Sequence, residues 1–194
     1  MKSLDQSHRV LLENLATFHR AQRCLDDADS YLWELLQNVA VSISTDFQGK
    51  LPRFNRYNER GHRYLQTRDF ENWRGLGKHF VTVGIEQFDV SGLVSPGEGT
   101  ACRAYVYSEF LQDSTRAARF PDDEGLLRKI KPPAGFASAP EDMPGYIFLM
   151  NIGVVSVEDF MDSKRLLAFL KEPLRTLGEW LISISPTIKV TSKS

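Results

Sequence analysis

Two sets of side chains in this sequence could do chemistry by type and spacing. The first lies on two neighbouring extended segments. In Ala101 to Leu111, Cys102, Ala104, Val106 and Phe110 share one parity, and Arg103, Tyr105, Tyr107 and Glu109 share the other. In His79 to Val90, Val81, Val83 and Ile85 share a face, with Gly84 and Glu86 on the opposite one. An antiparallel hairpin of the two sets Glu86 opposite or diagonal to Arg103, Tyr105, Tyr107 and Glu109, and Gly84 leaves room above the sheet. Carboxylates, a guanidinium and two phenols on one sheet face suit a small polar ligand. The same residue types also make ordinary cross-strand pairs, which is their commoner use.

The second set lies between Phe47 and His79. Arg53, Arg56, Arg60 and Arg63 alternate there with Phe54, Tyr57 and Tyr64, and Trp73 follows. Arginine beside aromatic rings is what a single-stranded nucleic acid or a phosphate-bearing ligand needs, with charge for the backbone and rings for stacking. More often such rings pack on the core while the guanidinium groups stay in water or pair with acids.

Other chemistries find less. His8, His19, His62 and His79 never fall three or four residues apart, and neither HExxH nor CxxC occurs, so no metal site is expected. Cys102 lies on an apolar strand face and reads as an inert buried thiol. No glycine-rich phosphate loop or GxSxG turn is present, and no cofactor is expected. A metal-dependent nuclease would need a strand carboxylate and an E-x-K on the next strand. Glu86 and Asp89 supply the first part, but two residues beyond Glu109 stands Leu111 where the lysine is needed.

Bulk properties narrow the class. The chain has 194 residues, 42% of them hydrophobic and 25% charged, which is ordinary for a folded protein. A net charge of −1 gives no global attraction to nucleic acid or anionic lipid. Two distant cysteines form no disulfide framework, no signal peptide is read, and the longest apolar run, Tyr146 to Val155, is too short to cross a bilayer. A cytoplasmic protein without membrane association is expected.

The elements that must position these residues begin with Leu4 to Ile43. Alternating three- and four-residue steps along it pass through Leu4, His8, Leu11, Leu15, Phe18, Gln22, Leu25, Asp29, Leu32, Leu36, Val39 and Ile43, the spacing of a helix packed lengthwise on another. Ser3 and Gln6 have capping-box spacing; Asp26 to Ser30 is a weak point that would allow a helical hairpin, but the heptad phase kept across it favours one continuous helix or two nearly collinear ones. Glu86-Gln87 is where the apolar phase of the first strand slips, so a bulge or bend is expected there. Ser91 to Thr100 reads as a turn. Gln112 to Gly145 reads as a long loop, of the length that lids, binding elements and disordered inserts have, with one short helix around Leu126 to Ile130. Tyr146 to Val155 reads as a central strand buried on both faces. Ser156 starts a last helix reaching Ile184, with a kink or restart expected before Pro173 and a loose tail after Pro186.

The expected architecture is α+β: long terminal helices with heptad-like seams beside a small, mainly antiparallel sheet. Residues 1–46 form a helical element and 47–194 an α+β domain, joined in one structural unit. The function expected is that of a non-enzymatic regulatory or scaffold module. It would be a homo-oligomer, dimerising through helices 4–43 and 157–184, and would bind a small ligand or partner protein on the sheet side. The alternative is a nucleic-acid-binding or metal-dependent nuclease-like protein using Arg53, Arg56, Arg60, Arg63 and Trp73.

Overall fold

The computed structural model describes residues 5–48, 50–51, 53–59, 62–67, 81–95, 101–108 and 128–191. Its α+β class is as the sequence implies. Helix α1 spans Gln6–Glu13 and α2 spans Leu15–Asp46. Strands β1 (Phe54–Glu59), β2 (His62–Thr67) and β3 (Val81–Glu86) follow. Then come the short helix α3 (Val90–Val94), β4 (Arg103–Ser108), β5 (Ala137–Ser138) and β6 (Tyr146–Asn151). Helices α4 (Val157–Met161) and α5 (Ser163–Thr191) close the chain.

The described strands form one antiparallel sheet in the order β1-β2-β3-β4-β6-β5. Both long helices lie on the same face of it, α2 against β1 and α5 against β3 and β4. Their apolar sides explain this. Leu32, Leu36, Val39 and Ile43 of α2 and Leu166, Leu170, Leu174, Leu177 and Leu181 of α5 are buried with Leu65, Val83, Ile85, Val106 and Phe148 from the sheet. Lys171 ties the helices together, bonding Ser42 Oγ at 2.7 Å and Asp46 at 2.9 Å.

The long N-terminal helix breaks at Asn14, not at Asp26 to Ser30. Asn14 turns its side chain back onto the Val10 carbonyl, at 2.9 Å, and so competes with the helix ladder. Within the expected weak point the polar groups bond along the helix instead: Ser30 Oγ donates to the Asp26 carbonyl and Gln22 to the Asp26 carboxylate. The capping box uses Asp5 and His8 where Ser3 and Gln6 were expected. The His8 hydrogen bonds hold the Asp5 carboxyl below its usual range. From residue 5 to 27 every side chain is exposed, so α1 and the first half of α2 form an arm outside the core.

The segment after α2, read as a basic aromatic stretch, contains the β1–β2 hairpin. Its register, Tyr57 against Tyr64 and Glu59 against His62, leaves two residues for the connection. At the expected phase slip the chain leaves the sheet through Gln87, whose φ of 56° is in the left-handed region. Phe88 then turns into the core, and Asp89 caps α3 where a turn had been read. Strand β6 stops at Asn151 and is not buried on both faces: Tyr146, Leu149 and Met150 stay partly open.

The last helix is interrupted at Asp162, which caps α5 by accepting from the Lys164 and Arg165 N–H groups. It runs unbroken through Pro173 and beyond Pro186 to Thr191. Pro173 deprives only the Phe169 carbonyl of a partner. The buried contacts of Leu170, Leu174 and Leu177 on both sides hold the backbone in line. The expected helix at Leu126–Ile130 and most of the 112–145 loop lie outside the described residues.

Candidate functional site

The sheet face turned away from the long helices collects the first candidate set. Register places Glu86 directly across from Arg103, Gly84 from Tyr105 and Thr82 from Tyr107. Strand β2 extends the face with Tyr64 beside Glu86 and Gln66 beside Gly84. An irregularity between Val106 and Tyr107 brings Tyr146 of β6 against Tyr107 on the same side.

Glu86 is the centre. One carboxylate oxygen accepts a very short hydrogen bond from Arg103 Nε, and the other accepts from the Tyr146 hydroxyl at 2.6 Å. The Arg103 guanidinium lies 5.6 Å from the Tyr146 ring centroid, and Tyr105 and Tyr107 meet that ring edge to face at 5.8 and 5.1 Å. The Tyr105 hydroxyl donates to Gln66 Oε1 at 2.7 Å, reaching past Gly84, which lies between these residues in register. The room above Gly84 is therefore used by the sheet itself: a Cβ there would clash with the Leu65 carbonyl oxygen and lie 2.8 Å from Gln66 Cβ. Arg128 anchors β6 by donating to the Tyr146 carbonyl at 3.0 Å.

Burial pushes the Tyr146 hydroxyl well above its usual pKa, and the hydrogen bond to Glu86 adds to this. It stays protonated and donates, which suits binding and not proton abstraction. Thr82 Oγ1 is buried on this face without a hydrogen-bond partner among the described residues.

Sequence reasoning assembled Glu86, Arg103, Tyr105 and Tyr107, and the structure brings these together; Glu109 lies outside the described residues. It missed Gln66, Thr82 and Tyr146. The alternation of Tyr64 and Gln66 against Leu65 and Thr67 was a legible strand signal. Tyr146 was hidden at the start of an apolar run.

The second candidate set is dispersed. Arg56 and Arg63 sit on the helix-facing side of the β1–β2 hairpin and flank Trp33 of α2, with guanidinium carbons 4.6 and 5.8 Å from its ring centroid. Arg56 donates to the Trp33 carbonyl at 2.6 Å, and Arg63 approaches Asp29 at 3.7 Å. Both fasten the hairpin to α2 where the arm leaves the core. Arg53 lines a separate pocket of about 360 Å³ between α2 and β1. Arg60 and Trp73 lie outside the described residues.

Glu86 and Asp89 do not act as a pair: Glu86 is held by Arg103 and Tyr146, and Asp89 accepts from the Gly92 N–H at 2.6 Å to cap α3. Among the described residues no three His, Cys, Asp or Glu side chains are placed to hold a metal ion. Cys102 is buried, and burial, with the nearby Asp89 and Glu86 charges, pushes its thiol far up; it is no nucleophile. No described helix is long and apolar enough to cross a membrane. Comparison with protein-family models, curated proteins and solved structures gives no match.

Proposed function

We propose that this chain is a non-enzymatic regulatory or scaffold module that self-associates through its N-terminal arm and takes a small polar ligand or a partner protein on the polar aromatic face of the sheet. The observation that carries the reading is the arm's exposed seam. Leu11, Leu15, Phe18 and Leu25 keep heptad spacing and are 44%, 41%, 46% and 49% exposed. Arg9, Glu13, Arg20, Arg23 and Asp27 fall on the opposite side of the helix. A second copy of the same arm, apolar on the same stripe, is the occupant we assign.

The seam ends where the core begins. Asp29, its next member, accepts from the Val90 N–H at 2.9 Å, and from Leu32 onward the stripe is buried within the chain. As far as Ile184 the apolar side of α5 is likewise buried within the chain, whereas the arm's stripe is open. Burying the half-exposed seam is worth about 1 kcal/mol per side chain, or about 8 kcal/mol for both copies. Val10 and Leu12 on its flanks raise this to about 12 kcal/mol. Against an association cost of at least about 4 kcal/mol, self-association falls in the roughly micromolar to millimolar range. Such an equilibrium responds to a modest second input.

The sheet face offers that input. Only Gln87, Phe88 and Asp89 separate Glu86 from Val90, whose N–H is held by Asp29 at the arm's root, and Gln87 is left-handed. A ligand that draws on Glu86 or Arg103 would bear on this short link and so on the arm. The nucleic-acid alternative has less support, because Arg56 and Arg63 are engaged with Trp33 and Asp29.

Sedimentation equilibrium from about 10 μM to 1 mM tests the reading, a range set by the affinity estimate. The native chain is expected to shift from monomer towards dimer. Leu15→Glu combined with Phe18→Glu is expected to abolish the shift with the fold intact, since neither residue touches the core. A native chain monomeric throughout would overturn it.

A further inference from the structure

The outer edge of β1 lies apart from the arm and is an end of the described sheet. Strand β1 ends the sheet order, with β2 as its sole described neighbour. The Phe54 N–H points away from β2, because it donates to Ser44 Oγ of α2 at 2.9 Å. In an antiparallel pair, outward and inward backbone groups alternate by residue. Arg56 and Asn58 therefore also direct their N–H and carbonyl groups outward, while Asn55, Tyr57 and Glu59 bond β2. No partner for the outward groups of Arg56 and Asn58 is found among the described residues.

At the Phe54 end this edge runs into the pocket of about 360 Å³ between α2 and β1. Its walls carry hydroxyl and amide groups from Gln37, Ser44, Thr45, Gln48 and Asn55, and Arg53 is the one charged side chain lining it. A peptide paired antiparallel to β1 has its C-terminal end beside the N-terminal end of β1, which is where Arg53 stands. There Arg53 would also offset the partial negative charge at the end of α2.

We infer that β1 receives an extended peptide segment of a partner protein by strand addition, antiparallel, with the segment's free C-terminal carboxylate held in the Arg53 pocket. Main-chain hydrogen bonds to Arg56 and Asn58 supply the pairing, and Arg53 with the hydroxyl and amide walls selects the terminus. The assignment goes beyond the arm and the polar face, and stands if either fails.

The test uses the full chain and a fluorescent hexapeptide of alternating valine with serine or threonine, ending in a free acid. Binding is expected, with perturbation and exchange protection of the Arg56 and Asn58 amides in NMR spectra. The C-terminal amide of the peptide, and Arg53→Gln with the acid, should each bind about tenfold more weakly, the effect of one charge-assisted hydrogen bond. N-methylation of alternate peptide nitrogens should weaken binding at least as much. Asn58→Pro removes an outward donor and leaves the ladder to β2 intact, so it should bind weakly with an unchanged circular dichroism spectrum. Equal binding of acid and amide, or no response at Arg56 and Asn58, overturns the inference. So does a short oligothymidylate that displaces the peptide, or concentration-dependent protection of these amides without peptide, which would make a second copy the occupant.

Discussion

Replacing Glu86 by alanine removes the acceptor that Arg103 and Tyr146 share. The Arg103 and Glu86 side chains are 23% and 17% exposed, so water reaches the pair only in part. Breaking a fully buried pair costs about 3–5 kcal/mol, and a fully exposed one up to about 1 kcal/mol. Partial burial and the orphaned Tyr146 hydroxyl put Glu86→Ala at about 2–3 kcal/mol. Glu86→Gln keeps the shape and one acceptor oxygen, losing mainly charge assistance, at about 1–2 kcal/mol. In a chain of this size about 1 kcal/mol moves Tm by about 2–4 °C, so Glu86→Ala should lower it by about 4–12 °C. The assay is urea unfolding of Glu86→Ala, Arg103→Met and the double variant. The two losses should not add, with a coupling energy of about 1–2 kcal/mol, because removing both partners leaves neither unpaired. Additive losses, or a Glu86→Ala chain within about 0.5 kcal/mol of the native one, would refute the reasoning that Glu86 organises this face.

Gly84→Ala should destabilise by about 3 kcal/mol or more in urea unfolding, since the new Cβ meets backbone of β2 that cannot move without opening the ladder. Gln87→Gly should stabilise by about 1 kcal/mol by the same assay, because it relieves the left-handed backbone and removes a buried, unpartnered side-chain oxygen. The folded pKa of Tyr146 lies above its unfolded value of 10.0, so its preference for the neutral form stabilises the fold below that pH and is lost as pH rises towards the folded pKa. Stability should therefore fall in alkali more steeply in the native chain than in Tyr146→Phe, followed by chemical unfolding at stepped pH. Thiol labelling should modify the exposed Cys24 quickly and the buried Cys102 only on unfolding.

Much of this fold is visible in the residues. The alternation of Cys102, Ala104 and Val106 with Arg103, Tyr105 and Tyr107 expresses strand pleat directly, and so puts Arg103, Tyr105 and Tyr107 on one face near Glu86 without fixing the register. The slip after Ile85 marked the departure from the sheet at Gln87. The heptad stripe marked a helix, but could not say where the stripe stops being covered: Leu25 and Leu32 look alike in sequence, and tertiary contact alone separates the exposed one from the buried one. The break at Asn14 was hidden because what marks it is a single side-chain-to-backbone bond, whereas the heptad phase kept across Asp26 to Ser30 pointed to the continuous helix found there. Pro173 misled because local propensity was weighed without the buried leucines around it. Arg56 and Arg63 misled because their stacking on Trp33 needs a helix residue 23 and 30 positions away in sequence, a pairing that no local pattern announces.

Pairing of one arm with a second can be read as a distance between the two copies. Cys24 is exposed on the arm and Cys102 is buried, so a nitroxide can be attached at Cys24 alone. Dipolar distance measurement on the labelled full chain at about 0.5 mM, within the affinity range estimated above, tests that pairing most directly. Helix axes about 8–10 Å apart, with labels on the outer surfaces, predict one narrow distance of roughly 20–30 Å that vanishes in Leu15→Glu with Phe18→Glu. A chain without dipolar coupling at that concentration, or one whose coupling survives the double substitution, would contradict it.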